Sequence, residues 1–149
     1  RALRIDKLTL AALEATAKLY LNEREAVAGL RSLAALTEPV GAVTRRARRL
    51  LRMLRKEDFP GVTLGLRQGS SMSGGGSLPT QQIPTVLVAL RSEGLSAARI
   101  DERLRALPLP VVARIAGDEV LFDPRTLAAG ELPEVCNALR AVLASSGKG

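Results

Sequence analysis

The spacing of apolar residues changes at Pro60-Gly61, and this change constrains the fold more than any other feature. Before it, apolar residues recur at helical spacing. After it, the runs shorten and alternate. Residues 6–24 read as a helix capped by Asp6, with Leu10, Leu13, Ala17, Tyr20 and Leu21 on one face. Val27 to Leu36 is less regular, a short helix or an extended connector. Thr37 opens a second helix running to Lys56, with Pro39 in its first turn. Val40, Val43, Ala47, Leu50, Leu51 and Leu54 form its apolar stripe. Arg45, Arg46, Arg48, Arg49, Arg52, Arg55 and Lys56 form its other face.

Beyond Pro60-Gly61 the segment Val62–Leu66 alternates as a strand. Gly69 to Pro84, rich in Gly, Ser, Pro and Gln, reads as a long loop, and Thr85–Leu90 as a buried strand. Ser96 caps a helix to Leu107, with Ala97, Ile100, Leu104 and Leu107 inward. Val111–Ile115 and Glu119–Asp123 are strands joined by an Ala116-Gly117-Asp118 hairpin turn. Pro133 opens a last helix whose apolar residues are Val135, Ala138, Leu139, Val142 and Leu143. The order predicts an α+β fold: a long connecting helix, then a small domain with an antiparallel sheet of about four strands and helices on one face. The expected organisation is a connector over residues 1–36 and a compact domain over 37–149.

Composition removes several functions. The chain has no histidine, the commonest general base and metal ligand. A Ser-His-Asp triad or a zinc site within it is not expected. Cys136 has no partner for an internal disulfide and fits a reducing, cytoplasmic setting. No apolar run approaches the roughly 20 residues of a membrane span. Aromatic residues are 2% of the chain, too few for base-stacking platforms. The net charge of +7 favours anionic partners, or reflects arginine used as a solubilising charge.

Three stretches could carry chemistry. Ser73, Gly74, Gly75 and Gly76 lie in a stretch whose backbone N–H groups could approach an anion, or which serves as a flexible link. It is not followed by the Gly-Lys-Ser/Thr of a nucleotide-binding loop. The arginine face of helix 37–56 is a phosphate track or a solvated surface. Arg1 and Arg4 would lie one turn apart in a helix, where both guanidiniums could reach one anion. Cys136 reads as a small buried thiol, Lys7 as exposed, and Asp118, Glu119 and Asp123 as turn and edge charges.

Taken together, these stretches resemble bacterial selenocysteine synthase, L-seryl-tRNA(Sec) selenium transferase. That family is pyridoxal-phosphate-dependent and of the aspartate-aminotransferase fold type. Arg1 to Thr16, reading RALRIDKLTLAALEAT, looks like the segment following the family's cofactor lysine. Gly74-Gly75-Gly76-Ser77-Leu78-Pro79 looks like its glycine-rich loop. Pro110–Ile115 and Asp123-Pro124-Arg125-Thr126 are similar to its closing strands. Met72, Ser73 and Thr80-Gln81-Gln82 depart from the pattern around that loop.

The resemblance implies the C-terminal part of an enzyme converting seryl-tRNA(Sec) to selenocysteinyl-tRNA(Sec) with selenophosphate. It implies a homo-oligomeric ring of dimers and arginines matching Arg1 and Arg4 at the selenium donor. The chain does not begin with Met and is expected to be a piece of a larger protein. The Schiff-base lysine is expected upstream, leaving this chain inactive by itself. The alternatives are part of a related pyridoxal-phosphate lyase, or a basic non-catalytic module that binds tRNA or a partner.

Overall fold

A computed structural model describes residues 4–72 and 82–144. The chain forms two compact units, Arg1–Glu38 and Pro39–Gly149.

The first unit holds three helices: α1 (Lys7–Leu19), α2 (Glu23–Gly29) and α3 (Arg31–Thr37). Asp6 caps α1, accepting from the backbone N–H groups of Leu8 and Thr9 at 2.9 and 3.0 Å. The expected single helix over 6–24 is broken at residues 20–22. There the Asn22 side chain accepts from Arg24 N–H at 3.1 Å and starts α2, so a local cap outcompetes continuation. The connector after Val27 is helical, and Thr37 ends α3 instead of opening the next helix. The apolar face predicted for α1 is exposed in this chain: Leu10, Leu13 and Tyr20 are each more than half accessible.

The second unit is the α+β domain. Its elements are α4 (Val40–Arg55), β1 (Val62–Met72), β2 (Gln82–Ser92), α5 (Ala97–Arg105), β3 (Arg114–Ala116), β4 (Glu119–Phe122) and α6 (Leu132–Ala144). The strands form one antiparallel sheet in the order β1-β2-β4-β3. Pleating sends Val88, Leu90, Val120 and Phe122 to one face. There they share a core with Leu50 and Leu54 of α4, Ile100 and Leu104 of α5, and Val135 and Leu139 of α6. The helices therefore cover one side of the sheet, as the sequence pattern predicts. Val40, expected in the α4 stripe, is exposed, one residue after the Pro39 N-cap.

The largest departure is at the predicted loop. Strand β1 continues to Met72 and β2 begins at Gln82, paired without interruption from Val62↔Ser92 to Met72↔Gln82. Only residues 73–81 lie between the strands. Gly69, read as a loop signal, is a packing feature. A Cβ there would stand 2.9 Å from Leu87 Cδ1, and Leu87 is buried on the face opposite α4, α5 and α6. Pro84 is tolerated because β4 pairs only with Val88–Leu90, well away from it.

Strand β3 is shorter than expected, since the Val111 N–H is taken by Leu104 O at 3.1 Å and leaves the ladder. The predicted hairpin forms as a two-residue turn, with Gly117 at φ +60° in its first position.

Candidate functional site

The stem of the β1–β2 hairpin is fastened by one side chain, Asp123. It follows β4 and projects to the face of the sheet opposite α4, α5 and α6, and its side chain is 9% exposed. Ser71 Oγ of β1 donates to Asp123 Oδ2 at 2.6 Å, and Thr85 Oγ1 of β2 donates to Oδ1 at 2.8 Å. Both hydroxyl residues are buried, so the carboxylate supplies the partner that burial demands. Arg114 of β3 adds a third attachment, from Nη2 to Asp123 Oδ2 at 3.1 Å and from Nη1 to Ser70 O at 2.9 Å. The Asp123 carboxylate also accepts from the Arg125 backbone N–H at 3.1 Å, closing the turn Asp123-Pro124-Arg125-Thr126. Arg125, itself buried, donates to Pro84 O at 2.6 Å. Arg46 of α4 donates to Pro124 O at 2.8 Å.

The sequence reading of Asp123 as an edge charge is thus corrected. It joins all four strands of the sheet's outer layer to the base of the hairpin. The available signal was Asp-Pro-Arg-Thr itself, a side-chain-capped turn placed directly after a strand. Glu119 is also more than a turn charge. It accepts from Arg67 of β1 at 2.7 and 3.2 Å, a bidentate pair across the outer face. The Arg67 guanidinium holds the Glu119 carboxyl below its usual range. Asp118 is the peripheral charge expected, 3.5 Å from Arg91.

Of the predicted site residues, Arg1, Ser73, Gly74, Gly75 and Gly76 lie outside the described residues. Arg4 is exposed and precedes the Asp6 cap, so it stands before α1 and not within it. The helical spacing assumed for Arg1 and Arg4 is not seen at Arg4. Cys136 is buried in α6, and burial pushes its thiol pKa up, which makes it a poor nucleophile.

Pyridoxal phosphate needs a lysine amine for its Schiff base. Lys7, Lys18 and Lys56 are exposed on or beside helices, and Lys18 is paired with Glu14 at 2.7 Å. None of these described lysines is buried. No described helix is long and apolar enough to cross a membrane.

The basic face of α4 is the second notable surface. Arg45, Arg48, Arg49 and Arg52 are exposed, opposite the buried Val43, Ala47, Leu50 and Leu54.

Fold and site together define a small basic α+β domain, in which Asp123 fastens the ends of the paired strands β1 and β2. The chain belongs to the L-seryl-tRNA selenium transferase family, whose family model matches residues 1–128. It is 44% identical over 140 residues to the L-seryl-tRNA(Sec) selenium transferase of Geotalea uraniireducens, covering 94% of this chain and 30% of that protein. The Geobacter sulfurreducens protein of the same name is also 44% identical, over 94% of this chain and 30% of its own length. That of Clostridium botulinum is 42% identical over 85% of this chain and 27% of its own. The chain thus spans about 30% of the curated relatives it matches.

Proposed function

We propose that this chain is the C-terminal part of an L-seryl-tRNA(Sec) selenium transferase. The whole enzyme would exchange the seryl hydroxyl on tRNA(Sec) for selenium from selenophosphate, releasing phosphate. The observation that carries this reading is the family match over residues 1–128, supported by relatives 41–44% identical. The helices α1–α3 join the small domain to a larger one that holds pyridoxal phosphate and its lysine. The exposed apolar residues of α1 are in keeping with that arrangement. A cytoplasmic homo-oligomer is the expected form.

In this reading Arg1 and Arg4 bind the phosphate-like part of selenophosphate. Guanidinium forks match its oxygens and offset the charge carried by the departing phosphate. The Ser73–Gly76 stretch meets substrate through its backbone, and Asp123 holds the strands that present it.

The test is made in the full-length protein. Arg1→Ala and Arg4→Ala should each lower selenium transfer by about 100-fold or more, the scale of losing a charge-stabilising donor. The absorbance of bound pyridoxal phosphate should be unchanged. Near-normal transfer in both variants would remove the role assigned to them.

A further inference from the structure

We propose that the outer face of α4 is a track for the phosphate backbone of folded RNA. Arg45, Arg49, Arg52 and Lys56 follow one another at intervals of four, three and four residues, with Arg48 beside them. They therefore form one stripe along the helix. The stripe spans about 16 Å at 1.5 Å per residue. A duplex carries one phosphate charge per roughly 1.7 Å of its axis, so every cation can find a phosphate within that length.

Three observations set this face apart from an ordinary solvated helix. First, α4 contains no acidic residue, and these five cations make no hydrogen bond or ion pair among the described residues. By contrast, Arg99 and Arg105 of α5 are paired with Glu102 and Asp101 at 2.6 and 2.8 Å. Of the acids flanking α4, Glu57 is held by Arg140 through both oxygens at 2.8 Å and Glu38 is engaged, while Asp58, two residues past Lys56, is exposed. Second, cations near a helix C-terminus stabilise its dipole, but only within the last turn. That accounts for Arg52 and Lys56, not for Arg45, Arg48 or Arg49. Third, the opposite face is locked into the core by Val43, Ala47, Leu50 and Leu54, so the stripe is presented in a fixed direction.

The residue types select the occupant. Guanidinium groups suit phosphate oxygens. The face has no aromatic side chain, so it offers no platform for unstacked bases. Contact is with the backbone of a helical region, sensitive to salt and insensitive to sequence. That the RNA is the tRNA substrate rests on the function proposed above.

The test measures the affinity of full-length protein for deacylated tRNA(Sec) between about 0.05 and 0.2 M salt. Arg49→Gln/Arg52→Gln should flatten the log–log salt dependence by about 1.5 and weaken binding roughly tenfold at the upper salt, at 0.7–0.9 per lost phosphate contact. Arg99→Gln/Arg105→Gln removes the same charge from paired positions and should stay within about twofold of the parent. An unchanged slope in the first variant overturns the proposal. So does an equal loss in the second, which would mean diffuse attraction. Displacement of an acidic protein partner with tRNA binding intact also overturns it. A parent protein that binds RNA through this face but transfers no selenium would overturn the earlier reading and leave this one standing.

Discussion

Removing the Asp123 carboxylate should loosen the hairpin stem selectively. In Asp123→Ala, the buried Ser71 and Thr85 hydroxyls lose partners at 2.6 and 2.8 Å. An unsatisfied buried polar group costs about 1–3 kcal/mol. Hydroxyl rotation recovers part of that, so two such groups cost about 2–4 kcal/mol together. The Arg114 contact adds little, because that side chain is 44% exposed and its charge is screened. Asp123→Asn keeps one oxygen, enough for Thr85 and the Arg125 N–H. It places an amide against Arg114, so it should cost less, about 1–2 kcal/mol.

The assay is native-state hydrogen exchange at the amides of β1 and β2 in the full-length protein, where opening can be read locally. At tenfold per 1.4 kcal/mol, Asp123→Ala should speed exchange near Met72 and Gln82 by about 30-fold or more. The α5 and α6 amides should change far less. Adding Ser71→Ala and Thr85→Val to Asp123→Ala should restore much of the protection, since a hydrogen bond deleted with both partners is nearly neutral. Unchanged stem exchange in Asp123→Ala, or further loosening in the triple variant, would refute the reasoning.

Other consequences follow from the same geometry. The Glu57 and Glu119 carboxyls are held below their ordinary value of 4.5 by Arg140 and Arg67. Each therefore stabilises the fold above that value and loses its contribution as pH falls through the lower, folded one. In Glu119→Gln the acid-side decline of stability, followed by circular dichroism below about pH 4.5, should be shallower than in the parent; an identical profile would count against the Arg67–Glu119 pair. Cys136 should resist a thiol reagent at neutral pH in the folded protein and react on denaturation; fast native labelling would contradict its burial. Leu139→Ala, at a fully buried position of α6, should cost about 2–5 kcal/mol in denaturant unfolding of the domain.

Much of the fold was legible because helix faces and tight turns leave local signals. The stripe of α4 announces itself through Val43, Ala47, Leu50, Leu51 and Leu54, and the Gly117-Asp118 turn through glycine. What was not legible depends on partners distant in sequence. Ser70, Ser71 and Gly69 have poor strand propensity, yet they are in β1 because of Asp123, Arg114 and Leu87. The same distance hid the role of Asp123, which lies 52 residues from Ser71 and 38 from Thr85. Of the apolar face expected over 6–24, Leu10, Leu13 and Ala17 lie in α1 while Tyr20 and Leu21 fall past its end, and no burial follows from a pattern alone.

The most direct test is to supply the full-length protein with seryl-tRNA(Sec) and selenophosphate and to analyse the aminoacyl group recovered from the tRNA. Selenocysteine should replace serine. Recovery of serine alone, by a protein that carries its cofactor and binds the tRNA, would contradict it.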